Sequence, residues 1–296
     1  MKNNQRVNVL RILCFCLWFG LSIRTFAQPT QQEQCAGQFT VQFANTANSA
    51  LVTQPNALWF QGTVQLDRQL ASCVNAIEIK PTNGWQHVVQ GPTGKITSSI
   101  LSTQRKSVTR NPQGAFILPT LGQRQIDFWV HIPNGKESTP GHYHGDFTVS
   151  VVTPHSHITP VYASLNFAIK PFVRARIEAK NKQWVTVSGT NVRVNMGNLT
   201  QKNKRDLDII VTSNASVKLE VRSQNDGYLV NVARSRYKIP YAVSLQGRQL
   251  EHGAPIFLNT GKNSQSRFTM GFENTAVPGA AHGRYEDKMT VSLIAY

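Results

Sequence analysis

Cysteine is scarce in this chain, which has four among 296 residues. Only Cys35 and Cys73 lie beyond the N-terminal apolar run. A zinc site needs more Cys or His ligands at short spacing, so we expect no metal and no cofactor. If the chain is exported, two thiols in an oxidising compartment pair with each other, and we predict a Cys35–Cys73 disulfide. Two separate buried thiols are the alternative.

Long apolar runs are also missing, apart from one at the N-terminus. Basic residues Lys2, Arg6 and Arg11 precede an apolar stretch over 12–23, which is shorter than the ~20 residues that a membrane helix needs. Small residues at 25 and 27 suit a cleavage site. We therefore predict a signal peptide over 1–27, removed on export through the periplasm.

Motifs that carry catalysis are absent. The chain has no Gly-x-Ser-x-Gly, no His-Glu-x-x-His and no phosphate-binding glycine-rich loop. Its 15 acidic residues are dispersed, which disfavours a paired acid–base site, so we expect no enzyme. The 31 basic residues give a net charge of +16, but only Lys202–Arg205 cluster tightly. This scatter is typical of a solvated surface that aids adsorption, and we expect no nucleic-acid partner.

Helical periodicity is nearly absent, whereas short alternating apolar runs are frequent. Glycine, proline and asparagine turn signals separate these runs, a pattern that predicts an all-β antiparallel sandwich. The clearest runs cover 39–43, 126–130, 207–211, 217–221 and 268–272.

An internal repeat indicates two domains of one immunoglobulin-like architecture. The ten residues at 141–150 (GHYHGDFTVS) align without a gap with those at 283–292 (GRYEDKMTVS). A separation of about 140 residues is too long for a solenoid period. We predict an N-terminal adhesin-like domain over 28–170 and a C-terminal domain over 171–296.

The two copies of the repeat differ in the residues on their C-terminal side. After Val152 the first domain continues into a further apolar strand over 161–169, whereas the second ends three residues after Leu293. The second domain is therefore predicted to lack its final strand. Its open edge would leave a groove that another chain fills by β-augmentation. The predicted groove residues are Phe268, Met270, Phe272, Tyr285, Met289, Val291 and Leu293.

The C-terminal half resembles the spore-coat-U-type pilin domain of archaic (Csu-like) chaperone–usher pili. Five segments carry the resemblance, at 194–199, 211–214, 219–229, 239–245 and 283–287. Many such domains have a disulfide near the position of 211–214, where this chain has no cysteine.

The resemblance implies assembly by donor-strand complementation. Its partners would be a periplasmic chaperone, an outer-membrane usher and an adjacent pilin subunit that donates a strand. The segment 28–34 is polar and contains a proline, so it makes a poor donor arm. We therefore predict a tip subunit or adhesin at the cell surface that mediates attachment or biofilm formation. If Phe39–Phe43 were free to act as a donor, the chain would be an internal adaptor.

Apolar residues beside turn formers are candidates for binding a surface or receptor. They are Leu58, Trp59, Phe60, Trp85, Phe116, Ile117, Leu118 and Leu121, with burial in ordinary strands as the alternative. Two His-x-His pairs, His142/His144 and His155/His157, could each chelate a metal, but solvent-facing histidines are the preferred interpretation. Two other roles stay open: a structural minor subunit without a ligand, and a free binding module.

Overall fold

The computed structural model describes residues 35–44, 56–154, 157–259 and 265–296. The predicted signal peptide over 1–27 lies outside these residues. Cys35–Tyr296 forms one compact unit. Within the described residues, no helix is long and apolar enough to cross a membrane.

The first part of this unit is built from ten strands, one short α-helix and one 3₁₀ turn, and we call it the first lobe. Its elements are β1 (Phe39–Phe43), β2 (Leu58–Leu66), α1 (Arg68–Cys73), β3 (Ala76–Pro81), β4 (Val89–Gly91), β5 (Gly94–Ile96), β6 (Ser99–Ser102), β7 (Phe116–Pro119), β8 (Gln125–Ile132), the 3₁₀ turn Gly135–Glu137, β9 (Gly141–Val152) and β10 (Val161–Ile169).

The second lobe contains twelve strands and no described helix. They are β11 (Val173–Ala179), β12 (Val185–Ser188), β13 (Asn191–Val194), β14 (Lys204–Ser213), β15 (Val217–Ser223), β16 (Tyr228–Asn231), β17 (Lys238–Leu245), β18 (Arg248–Gln249), β19 (Pro255–Leu258), β20 (Gln265–Asn274), β21 (Tyr285–Glu286) and β22 (Met289–Ala295).

Each lobe has two main antiparallel sheets around its own apolar core, and the second lobe adds the two-stranded hairpin β12–β13, which confirms the predicted fold class. In the first lobe, β1-β2-β8-β6 packs against β5-β4-β9-β3-β7, and β10 pairs with the remaining edge of β9. Strand β8 shows why the sequence folds this way: its even-numbered residues from Ile126 to Ile132 are buried, and the intervening ones are more exposed. A period of two places one face of the strand in the core.

The second lobe repeats this order. Strands β11-β14-β20-β17 correspond to β1-β2-β8-β6, and β19-β15-β22 correspond to β7-β3-β9. The repeat also shares its local geometry. Gly141 and Gly283 both have positive φ, at 138° and 143°. The tyrosines two residues later each donate to the carbonyl four residues before, Tyr143 at 2.6 Å and Tyr285 at 3.0 Å.

The disulfide between Cys35 and Cys73 is present, with 5.8 Å between the two Cα atoms, as predicted. It joins the residue that precedes β1 by four positions to the end of α1. β1 itself pairs along its whole length with β2, from Phe39 opposite Leu66 to Phe43 opposite Gly62. The first strand of the first lobe is therefore held at its side by a ladder and near its start by a covalent bond.

Asn214 lies where the two lobes meet. Its amide nitrogen is within 3.1–3.2 Å of the carbonyl oxygens of Lys136, Ser138 and Lys170. Its side-chain oxygen accepts the backbone N–H of Phe172 at 2.9 Å. This buried amide links the segment between β10 and β11 to both lobes.

Candidate functional site: the open groove of the second lobe

The edge strand β22 of the second lobe has a neighbour on one side only among the described strands. It pairs with β15 from Met289 opposite Ser223 to Ala295 opposite Val217. Strand β11, on the other sheet, likewise pairs with β14 and with no second described strand. In the first lobe, β10 occupies the corresponding place, since it pairs with β9 and also contacts β1.

A groove with a volume of ≈ 340 Å³ opens between β11 and β22. Side chains from five strands form most of its lining, and most of them are aliphatic. They are Ala175 and Ile177 of β11, Val192 and Val194 of β13, Leu207 and Ile209 of β14, Met270 and Phe272 of β20, and Met289, Val291 and Leu293 of β22. An unpaired backbone edge beside an apolar lining is the arrangement that strand addition uses.

Five of the seven groove residues predicted from the sequence line this groove: Met270, Phe272, Met289, Val291 and Leu293. Phe268 lies outside the lining, because it packs against the core of the second lobe and pairs with Ile209. Tyr285 also lies outside it, because β21 pairs with β16 rather than continuing into β22.

Sequence reasoning missed the contributions of β11 and of the β12–β13 hairpin. Apolar residues alternate along β11 at Val173, Ala175, Ile177 and Ala179, a signal that was available. The alternation alone did not show that β11 forms the far wall of the groove, since that depends on its pairing with β14.

One end of the groove is polar, where Asp287 interrupts the strand between β21 and β22. Its Oδ1 accepts hydrogen bonds from the backbone N–H groups of Asn225, at 3.0 Å, and of the next residue, Lys288, at 2.8 Å. Its Oδ2 accepts the hydroxyl of Ser223 at 2.5 Å and also that of Tyr241. Burial, with the hydrogen bond to Asp287, raises the pKa of Tyr241 well above its usual value.

A second polar cluster supports the wall of the groove from the outer face of β14. Asp208 is 5% exposed and accepts hydrogen bonds from Arg267 at 2.8 Å and Thr269 at 2.8 Å, with Lys180 at 3.4 Å. Burial raises the pKa of this carboxyl, but the bonds from Arg267, Thr269 and Lys180 outweigh it and hold the pKa below its ordinary value. The carboxylate is thus charged, buried and paired.

Most of the candidate surface-binding residues of the first lobe lie in strands. Leu58, Trp59 and Phe60 begin β2 and are buried, so the exposed-loop prediction is wrong for them. The turn formers before them lead directly into a strand whose outward Trp59 stacks on His131, with ring centroids 4.0 Å apart. Residues 116–118 lie in β7, where Phe116 and Leu118 face the core and Ile117 is half-buried.

Trp85 and Leu121 are the two candidates that are exposed. Leu121 is 83% exposed in the turn between β7 and β8. Trp85 is 39% exposed, and the guanidinium of Arg110 lies over its ring at 3.5 Å. An accessible indole next to a cation offers a ligand both apolar area and charge, and its role in binding stays a prediction.

Three of the four histidines of the two His-x-His pairs lie within the described residues. His142 and His144 lie on the exposed face of β9, and His155 lies outside the described residues. In the described part of the chain, no group of three or more His, Cys, Asp or Glu residues could hold a metal ion.

No protein-family model and no curated protein matches the chain. The resemblance to spore-coat-U-type domains therefore stays a prediction from its five sequence segments. Solved structures that resemble the fold include the CupB6 tip adhesin of Pseudomonas aeruginosa (TM-score 0.35, 9% identity, 88% of this chain and 94% of that one). Another is CfaE, the adhesive subunit of the CFA/I fimbria of enterotoxigenic Escherichia coli (TM-score 0.33, 11% identity, 90% of this chain and 75% of that one). A third comes from a chaperone–tip adhesin complex of CFA/I fimbriae (TM-score 0.33, 8% identity, 88% of this chain and 91% of that one).

These similarities are low in both identity and TM-score. They carry no argument about what this chain binds or assembles with. The groove, and the difference between the two lobes at that place, are the features that bear on function.

Proposed function

We propose that this protein is the tip adhesin of a chaperone–usher pilus, joined to the fibre by a strand that another subunit inserts between β11 and β22. One observation supports this most directly. The two lobes share their strand order, and the place that β10 fills in the first lobe is an open apolar groove in the second.

An unfilled groove of this kind is costly for a soluble protein. The seven residues of β22 present unpaired backbone groups on one side, and Val291 is 39% exposed. Burying one large aliphatic side chain stabilises a protein by about 1.5–3 kcal/mol, and a strand that inserts several of them would recover much more. Backbone pairing along β22 would add to this and would protect the edge from aggregation.

The pairing of β1 supports a position at the tip rather than inside the fibre. An internal subunit needs a free donor strand of its own. The best candidate among the described residues is Phe39–Phe43, and this strand is paired with β2 and tethered by the disulfide of Cys35.

In this proposal the second lobe meets a periplasmic chaperone first, then the outer-membrane usher, and finally an adjacent pilin. The first lobe points outward and binds an unidentified surface or receptor, promoting attachment and biofilm formation. The two lobes would be separate domains with a boundary near 170–171, between β10 and β11.

Self-complementation tests the groove. The repeat matches Tyr296 to Pro154, so residues 155–169 copied directly after Tyr296 would bring a second β10 alongside β22 in the register of the first lobe. We expect the amide hydrogens of Met289–Val291, the part of β22 opposite the copied strand, to exchange rapidly in the chain without the copy and slowly in the fusion, with a higher Tm of the second lobe.

The matched control carries the same copy with Val161, Ala163, Leu165 and Phe167 of that copy changed to Ser. It keeps the length and the outward residues but removes the apolar side chains that face the groove. Equal protection of β22 by both copies, or by neither, would overturn the proposal that the groove accepts a strand.

The adhesive role is tested on the self-complemented chain. We expect Trp85→Ala combined with Leu121→Ser to lower its adsorption to hydrophobic polystyrene beads or to cultured cells by about tenfold, since each removes an exposed apolar contact. Exposed Tyr162→Ser on β10 serves as the control. Pili that assemble with the double variant and adhere normally would instead favour a structural minor subunit without its own ligand.

A further inference from the structure

The groove differs from its counterpart in the first lobe at one position. The aligned repeat puts Asp287 where the first lobe has Gly145. Gly145 is opposite Leu165 of β10, and Leu165 is 1% exposed. A Cβ at position 145 would lie 2.6 Å from the backbone oxygen of Val88, so the first lobe has no room for a side chain at this place. The second lobe has a carboxylate at the equivalent place, and it lines the groove.

The other facing positions have kept their character. Met289 corresponds to Phe147, which is opposite Ala163, and Val291 corresponds to Val149, which is opposite Val161. A strand that fills the groove thus meets apolar side chains at two successive inward positions and a charged one at the third.

We propose that Asp287, together with Tyr241, selects a small hydrogen-bonding residue such as Ser or Asn on the incoming strand, at the position where β10 has Leu165. This inference rests on the proposed function, since it concerns the strand that the groove accepts. In this proposal Asp287 and Tyr241 determine the specificity for the strand and set its register relative to β22.

The reason lies in the hydrogen bonds of the carboxylate. A carboxylate has about four lone-pair sites, and four donors already occupy them in Asp287. A leucine placed here would cover the hydroxyl of Tyr241 and leave the lone pairs of that oxygen without a donor. A small amide or hydroxyl would avoid this loss, because the oxygen of Tyr241 donates its proton to Asp287 and keeps lone pairs that accept from the strand.

The restricted position of Asp287 supports the same selection. Asp287 is held by Ser223 and by the backbone of Asn225, so it has little freedom to turn out of the groove. Tyr241 fixes its other side. Asp287 and Tyr241 thus have fixed positions in the groove lining, and a strand that fills the groove has to accommodate both.

The experiment uses the full chain with residues 155–169 copied after Tyr296. Two versions of the copy are compared, one with Leu at the position of Leu165 and one with L165N in the copy alone. Hydrogen exchange of Met289–Val291, which lie opposite the copied strand, reports how firmly each copy occupies the groove. We expect the Asn version to lower the opening of β22 by about tenfold relative to the Leu version, the size of one net hydrogen bond.

Two substitutions in the groove make the result specific. Asp287→Gly restores the residue of the first lobe, so the preference is expected to reverse in favour of Leu. Because this change also removes the bonds to Ser223 and Asn225, Asp287→Asn is the gentler second variant. It keeps the volume but removes the charge, and we expect the preference for Asn in the strand to shrink.

A control substitution, A163N in the copied strand, places an amide against the apolar part of the groove and is expected to weaken occupancy in every background. If neither copy protects β22, the proposed function itself is overturned. If both protect it equally, or the Leu copy protects it better with Asp287 intact, strand addition stands and selection by Asp287 is wrong.

Discussion

At the scale of single residues, Asp208, Tyr143 and Tyr285 show how polar side chains that leave the solvent obtain partners. Asp208 shows the physical balance, because desolvation opposes its charge and three donors favour it. Tyr143 and Tyr285 show the same principle for hydroxyls, each reaching back to a carbonyl at the start of its strand. Such groups specify geometry as much as they stabilise it.

The charge on Asp208 makes a pH prediction. Its pKa is lower in the folded chain than the ordinary value of about 3.9, so the unfolded chain takes up the proton first as the pH falls. Its contribution to stability is complete above about pH 5 and is lost progressively as the pH drops through 4 towards the folded pKa. We expect the Tm of the second lobe to follow this course.

Asp208→Asn isolates the effect of that carboxyl from those of the other acids. The variant is expected to be less stable at pH 7 and to lose less stability than the wild type between pH 5 and 3, measured by thermal unfolding in the same buffers. An identical pH slope for the two proteins would show that Asp208 does not contribute.

At the scale of elements, two edge strands of this protein have different surroundings. β1 and β22 are both edge strands. β1 pairs along its whole length with β2 and is tethered by a disulfide, whereas β22 borders an apolar groove. The difference is in what surrounds each strand rather than in its own alternation, since both read as ordinary β-strands.

Hydrogen exchange on the unmodified chain distinguishes these two edges. We expect the segment Phe39–Phe43 to be protected and Met289–Ala295 to exchange about tenfold faster or more, because local opening requires few contacts to break at an unfilled edge. Reduction of the Cys35–Cys73 disulfide serves as a comparison and is expected to raise exchange in β1 alone. Rapid exchange of β1 in the oxidised chain would revive the internal-adaptor alternative.

At the scale of the whole molecule, the segment between the lobes is held by side-chain bonds rather than by a long linker. Asn214 contacts three carbonyls and one N–H around residues 136–138 and 170–172. Together with the hydrogen bond from the hydroxyl of Ser213 to the carbonyl of Phe172, these contacts hold the segment that joins the two lobes.

Asn214→Ala removes these bonds and leaves several buried backbone groups without their partner. We expect a loss of stability of about 1–3 kcal/mol and faster proteolysis near residues 170–172, measured by denaturant unfolding and by limited digestion. Asn166→Ala, on the exposed face of β10, is the matched control and is expected to be neutral. Unchanged proteolysis in the Asn214 variant would show that the junction is held by other contacts.

Much of this architecture was open to prediction because it depends on local pattern. Alternation along β8 and β22 can be read from neighbouring residues. The repeat follows from comparing 141–150 with 283–292, and the pairing of Cys35 with Cys73 follows from the scarcity of other cysteines. Comparing the two copies also predicted the open edge, because one copy is followed by an apolar strand and the other is not.

Only the tertiary structure decided which side chains line the groove and which candidates are exposed. A period of two says that Trp59 and Phe60 point to opposite faces, but not that Trp59 is covered by His131 and Phe60 by the core. Likewise, Tyr241 on β17 reaches the groove through the pairing of β17 with β20, which is distant in the chain. Val192 lies in the local β12–β13 hairpin, and its pairing with Val187 does not show that it lines the groove. Local alternation sets the face of each strand, whereas long-range pairing sets what that face meets.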